Sequence, residues 1–155
     1  MKKVFLIVGI LAVFSVFVFG SMWIGGGISQ ELGGQNRTLI EARITLGLGI
    51  LSIDVMNHLL LSNPNPAYWD QVYTYINIDI PIQMFEIYAG FSPTFFFYEG
   101  QFSQSALTSF GYVHGGASLD LKPLRIYADV AYGFDYSPFS FGNIPILSAG
   151  AQFGF

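Results

Sequence analysis

Beyond residue 20 the chain alternates between apolar and small or polar positions. In its final stretch Pro145, Leu147, Ala149, Ala151, Phe153 and Phe155 are apolar, while Ile146, Ser148, Gly150, Gln152 and Gly154 are mostly small or polar. A period of two is the spacing of a strand with one greasy face and one wet face. The same rhythm predicts strands near 22–32, 37–47, 50–61, 70–81, 84–98, 106–121, 124–135 and 145–155. Each has about the 9–11 residues a tilted membrane strand needs, or a few more. The breaks carry turn chemistry: Gly33-Gly34-Gln35-Asn36, Leu48-Gly49, Ser62 to Pro66, Ile82-Gln83, Gly100-Gln101, Lys122-Pro123 and Asp135 to Pro138.

Sorting each strand by parity separates two chemistries. One face collects Ile40, Ala42, Ile44, Leu46, Ile76, Ile78, Ile80, Phe85, Ile87, Phe91, Val113, Ala117, Ile126, Ala128 and Val130, with no charge among them. The other collects Glu41, Arg43, Asp54, His58, Tyr73, Tyr75, Asn77, Asp79, Glu86, Tyr88, His114, Asp120, Arg125, Tyr127 and Asp129. An apolar outside and a polar inside is the partition of a barrel in lipid. Such a sheet must close, because no edge can stay unpaired in hydrocarbon. The predicted fold is all-β: a closed antiparallel up-and-down transmembrane barrel of about eight strands over residues 21–155. The breaks alternate between two-residue turns and longer polar loops, as periplasmic turns and external loops do.

The first residues have a different character. Met1-Lys2-Lys3 is a basic start, Val4 to Phe19 is an apolar run, and Val18-Phe19-Gly20 offers a small-residue cleavage site. Residues 1–20 therefore read as an export signal peptide. The competing reading, a retained anchor helix, fits less well with the abrupt change to Gly-rich alternation that follows. Composition narrows the classes further. There is no Cys, so neither a disulfide framework nor a thiolate metal site is available. After the leader the basic residues are Arg37, Arg43, Lys122 and Arg125, against ten acidic ones, which excludes nucleic acid as a natural partner. Charged residues are 10% of the chain, far below the ~25% of soluble domains.

Signal, strand count, turn asymmetry and terminal Phe155 together resemble the small eight-stranded bacterial outer-membrane barrels of the OmpA/OmpX type. The resemblance is one of architecture and singles out no subfamily. It implies export by the general secretory route to the outer membrane of a double-membraned bacterium. It also implies outer-membrane lipid around the wall, and a C-terminal strand whose Phe153 and Phe155 are read by the barrel-assembly machinery.

The candidate chemistry lies on the polar face. Centring the tight turns on Leu48-Gly49, Ile82-Gln83 and Lys122-Pro123 sets Arg43 opposite Asp54, Asp79 opposite Glu86 and Asp120 opposite Arg125. With Asp129 these form an expected charge network in the lumen. Asp79 against Glu86 is acid against acid, which an Arg bridge, a shared proton or a cation would relieve. The first two are favoured over a metal, so no metal or cofactor is expected. The expected role of the network is to neutralise charge, fill the lumen and block a porin-like channel, since eight strands leave little space inside.

A catalytic reading would rest on His114 with Ser118, or on His58 with Asp54. Each pair is four residues apart on a strand, about 13 Å, beyond the reach of a nucleophile and its base. The chain is therefore expected to have a structural or surface-interaction role, ahead of a lipid A-modifying enzyme or a narrow pore. Tyr68, Trp69, Tyr98 and Phe102 in the external loops are expected in the interfacial girdle. The sharper alternative for them is a surface for an unidentified ligand.

Overall fold

Nine strand segments make the wall of this barrel: β1 (Ser21–Glu31), β2 (Thr38–Leu48), β3 (Leu51–Leu60), β4 (Gln71–Ile82), β5 (Phe85–Ser92), β6 (Phe95–Tyr98), β7 (Phe110–Asp120), β8 (Leu124–Tyr136) and β9 (Phe139–Gly154). They come from a computed structural model that describes residues 20–33, 36–60, 71–92, 95–98, 110–136 and 139–155. The proposed signal peptide, but for Gly20, lies outside the described residues, as do the loop residues Tyr68, Trp69 and Phe102. Tyr98 closes β6.

Each strand pairs antiparallel with its neighbours, and β9 returns to pair with β1. β5 and β6 both pair with β4, so they are two pieces of one stave. The described residues thus form a closed antiparallel barrel of eight staves. Three tight turns and the two ends of the described wall, Gly20 and Phe155, share one rim.

The alternation of the sequence becomes an inside-out protein. On β4, Tyr73, Tyr75 and Asn77 are each 1% exposed, while Ile76, Ile78 and Ile80 between and beyond them are more than half exposed. No Lys, Arg, Asp or Glu occupies an outward position on the described wall. Inward glycines let large neighbours lie flat across the lumen. A Cβ at Gly116 would sit 2.8 Å from the Tyr88 ring, and one at Gly154 would sit 2.7 Å from the Trp23 ring.

Two of the three tight turns are centred one residue later than predicted. Leu48 pairs with Leu51 and Ile82 with Phe85. The turn residues are therefore Gly49-Ile50 and Gln83-Met84. In each, the first central residue takes the positive φ (74° at Gly49, 59° at Gln83) that a tight hairpin demands. The shift moves every cross-strand partner by two and leaves every face unchanged. Arg43 consequently faces Met56, and Asp54 faces Thr45. Asp79 faces Tyr88, and Glu86 faces Pro81. The third register is as predicted, with Asp120 opposite Arg125.

The last stave is longer than predicted. β9 starts at Phe139, and its first residues pair with the end of β8 across a register shift near Gly133. Most of the stretch expected as loop, 136–143, is hairpin.

Candidate functional site

Among the described residues, the lumen is the densest concentration of chemistry. Its centre is Arg43, which β2 projects inward and which is 2% exposed. The guanidinium ion-pairs with Glu41 at 2.9 Å, with Asp129, and with Asp54 at 4.0 Å. It donates to the Tyr88 hydroxyl at 3.2 Å and lies over the Tyr127 ring, 4.1 Å from its centroid. Tyr88 in turn donates to Asp129 at 2.9 Å. These partners come from β2, β3, β5 and β8, so one side chain ties together staves from across the barrel. Among predicted members of the network, Arg43, Asp54 and Asp129 meet here, but Asp54 is a distant diagonal partner of Arg43 because of the register shift.

Above Arg43, on the side of the longer loops, Glu41 accepts from Ser29 and from Tyr127, each at 2.8 Å. Below it, Asp54 accepts from Thr45 and, at 3.0 Å, from Asn77. Gln152 donates to Thr45 at 3.0 Å. At the tight-turn rim Arg125 makes a two-pronged pair with Asp120, at 2.6 and 2.9 Å, and reaches Glu86 at 3.1 Å. Its guanidinium stacks on Trp23 at 4.3 Å. Glu86 is thus neutralised by an arginine from another stave, and Asp79 is not its direct partner. Between the Arg43 and Arg125 layers lies a small space of about 10 Å³, lined by Asp79, Ser52, Ser118 and their neighbours. That is room for about one water.

Sequence reasoning placed Glu41 inward but left it out of the network. Its signal was its position two residues before Arg43 on the same face. Gln152 carried no signal, because its partner Thr45 lies on a stave brought near only when the barrel closes. Ser29 reaches Glu41 on the neighbouring stave, but diagonally, two residues on from its direct partner Leu39.

The structure also brings together a serine, a histidine and a carboxylate that the sequence did not suggest. Ser29 Oγ is 3.1 Å from His58 Nε2, which is itself 3.3 Å from Glu41. The arrangement differs from the geometry of a nucleophilic relay. A relay uses the two ring nitrogens for two different partners. Here one nitrogen serves both, and His58 Nδ1 has no partner. Ser29 is also fully buried. The pairs weighed from sequence separate: His114 Nε2 binds Asn77 at 2.7 Å, Ser118 donates to Glu86, and Asp54 turns away from His58 to Thr45 and Asn77. Among the described residues no three His, Asp or Glu side chains are grouped to hold a metal ion.

At the loop rim the lumen widens into a vestibule of about 290 Å³, lined by Glu31, Arg37, Tyr112, Gly133, Ile144 and Ile146 among others. Arg37 holds Glu31 there with two hydrogen bonds, of 2.8 and 2.6 Å.

A closed eight-stave wall, apolar outside and charged inside, defines a transmembrane β-barrel. No known family profile matches the sequence, and no curated protein matches it. Two solved structures do match in shape. One comes from the de novo design of transmembrane β-barrels, with 11% identity over 88% of this chain and 96% of that chain, at a TM-score of 0.57. The other is Neisserial surface protein A (NspA), with 17% identity over 87% of this chain and 96% of that chain, at a TM-score of 0.49. The designed barrel shares the fold.

Proposed function

We propose that this chain is an exported bacterial outer-membrane barrel with a sealed lumen. It serves a structural or surface-interaction role and is neither an enzyme nor a pore. The observation that carries this reading is the reach of Arg43 across the lumen to carboxylates and hydroxyls on staves β2, β3, β5 and β8. A second arginine, Arg125, stacked on Trp23, closes the tight-turn rim below it. Two such layers with room for about one water between them support a plug and oppose free solute flow.

On this reading the outward wall meets outer-membrane lipid. Phe153 and Phe155, both more than half exposed at the tight-turn rim, present the C-terminal strand to the assembly machinery. The shared nitrogen and full burial of the Ser29–His58–Glu41 group support a structural role for it. Reconstitution into planar bilayers tests the sealed lumen. The expected result is no steady single-channel current above the lipid background; a large, stable conductance would overturn the reading.

A further inference from the structure

Arg43 bars the lumen to solutes, yet a line of exchangeable protons runs past it. Tyr127 is the crossing point. Its ring lies beneath the guanidinium, with the Arg43 Cζ 4.1 Å from the ring centroid. The residue lines the small space between the two arginine layers. Its hydroxyl donates at 2.8 Å to Glu41, on the far side of the Arg43 layer. The other oxygen of Glu41 accepts from Ser29 at 2.8 Å. Ser29 Oγ is in turn 2.9 Å from Ser148 Oγ and 3.1 Å from His58 Nε2. Ser29 and Ser148 face each other two residues below Glu31 and Ile146, which line the vestibule. Two residues are about 6.6 Å of strand, a gap that one water bridges. In the opposite direction the small space is also lined by Asp79 and Glu86. Glu86 keeps 18% of its side chain exposed toward the tight-turn rim.

Hydroxyls, carboxylates and imidazoles can take up one proton and release another, whereas a guanidinium in a protein keeps its own. The lumen therefore has two kinds of member. Arg43 and Arg125 are fixed charges that close the bore. The groups beside them can hand protons on. Below the vestibule, Glu41, Asp54, Asp79, Glu86, Asp120 and Asp129 stand against these two arginines among the described residues. That excess of carboxyl groups favours an entering proton and repels an anion. Ionisable groups inside membrane-spanning segments commonly mark such proton routes.

We infer that the plug is a proton relay, passing protons between the tight-turn rim and the vestibule while excluding larger ions and solutes. The inference rests on the sealed-lumen reading and adds an activity to the structural role of the network. A hydronium in the small space gives a proton to the Tyr127 hydroxyl as that hydroxyl passes its own to Glu41. Water and a neutral Glu41 result. Ser29 then turns its O–H away from Glu41 toward Ser148 or His58 Nε2. It takes the proton of Glu41 and releases its own upward. One proton enters, one leaves, and every residue recovers its starting charge. Tyr88 is a side branch. Its hydroxyl donates to Asp129, and Asp129 leads on to Arg43, which releases no proton. A relay moves protons singly and gives no steady channel step, in keeping with a sealed lumen.

The test uses the folded barrel in vesicles loaded with potassium and a pH-sensitive dye, with valinomycin to carry the compensating charge. After an external acid step the interior should acidify faster than in protein-free vesicles, and more slowly in D2O than in water. Tyr127→Phe keeps the ring beneath Arg43 and removes the hydroxyl. Glu41→Gln keeps the shape and the acceptor but cannot carry a proton. Each should lower the protein-dependent flux about tenfold or more. Tyr75→Phe removes an inward hydroxyl off the path and should leave the flux unchanged. Heat-modifiable migration on gels checks that each variant is folded, so that a lost flux is not a lost barrel. Tight vesicles with no protein-dependent proton flux, or full flux through either folded path variant, would overturn the relay and leave the seal standing. Potassium leak without valinomycin would overturn the seal, and the relay with it.

Discussion

Arg43 is surrounded by more carboxyl groups than one guanidinium can pair closely. Glu41, Asp54 and Asp129 all converge on it, and its Nε and Asp129 Oδ1 lack well-aligned hydrogen bonds. Buried ion pairs add little net stability when intact, but removing one partner strands the other. Arg43→Met should therefore destabilise the barrel by about 3–5 kcal/mol, read by urea unfolding in micelles. Arg43→Lys keeps the charge but loses the planar fork, and should fall between the two. Adding Asp129→Leu to Arg43→Met should recover part of the loss. Additive effects in that cycle would show that the contact does not couple the two residues.

At the scale of strands, the faces of the predicted strands were legible, whereas two of the three tight-turn registers were not. Period-two alternation assigns each residue to lipid or lumen without reference to any neighbour. Register depends on which residue of a tight turn takes a positive φ. The choice between Leu48-Gly49 and Gly49-Ile50 is invisible to the alternation, and at Gln83 there is no glycine to mark it. Pro145 misled in a similar way. It read as the first residue of the final strand, yet it pairs with Tyr132 in mid-strand, at the height where the ladder with β1 ends in a single bond from the Leu32 N–H to the Pro145 carbonyl. Contacts across the lumen, such as Arg43 with Asp129, were beyond reach because they exist only after closure.

The register itself can be checked by cross-linking. Leu46 faces Ile53 on the outer surface, so their Cα atoms are about 5 Å apart, within disulfide range. Leu46→Cys with Ile53→Cys should oxidise readily, and Leu46→Cys with Leu51→Cys should not. The reverse result would restore the turn centred on Leu48-Gly49.

For the molecule as a whole, lipid takes the place of a hydrophobic core. Ala128 faces outward at mid-wall between Ala117 and Ala149. Ala128→Arg should cost about 2–4 kcal/mol of stability in bilayers, the penalty for a cation at the midplane. If urea titrations of the variant in vesicles match those of the parent, the outward face does not meet hydrocarbon. The intact barrel should also migrate differently before and after boiling and should fractionate with outer membranes. Recovery as a soluble protein would overturn the architecture's placement in lipid.

The charged lumen has a consequence for how the right barrel is selected. The greasy exterior is degenerate: slide any stave by two residues and it still shows apolar side chains to lipid. The interior is not. The same slide would carry Asp129 away from Arg43, or Asp120 and Glu86 away from Arg125, and strand carboxylates in a space with room for about one water. The membrane thus accepts many alignments and the plug accepts one. The lumen works as a proofreader of assembly, testing the relative heights of most staves at the moment the wall closes.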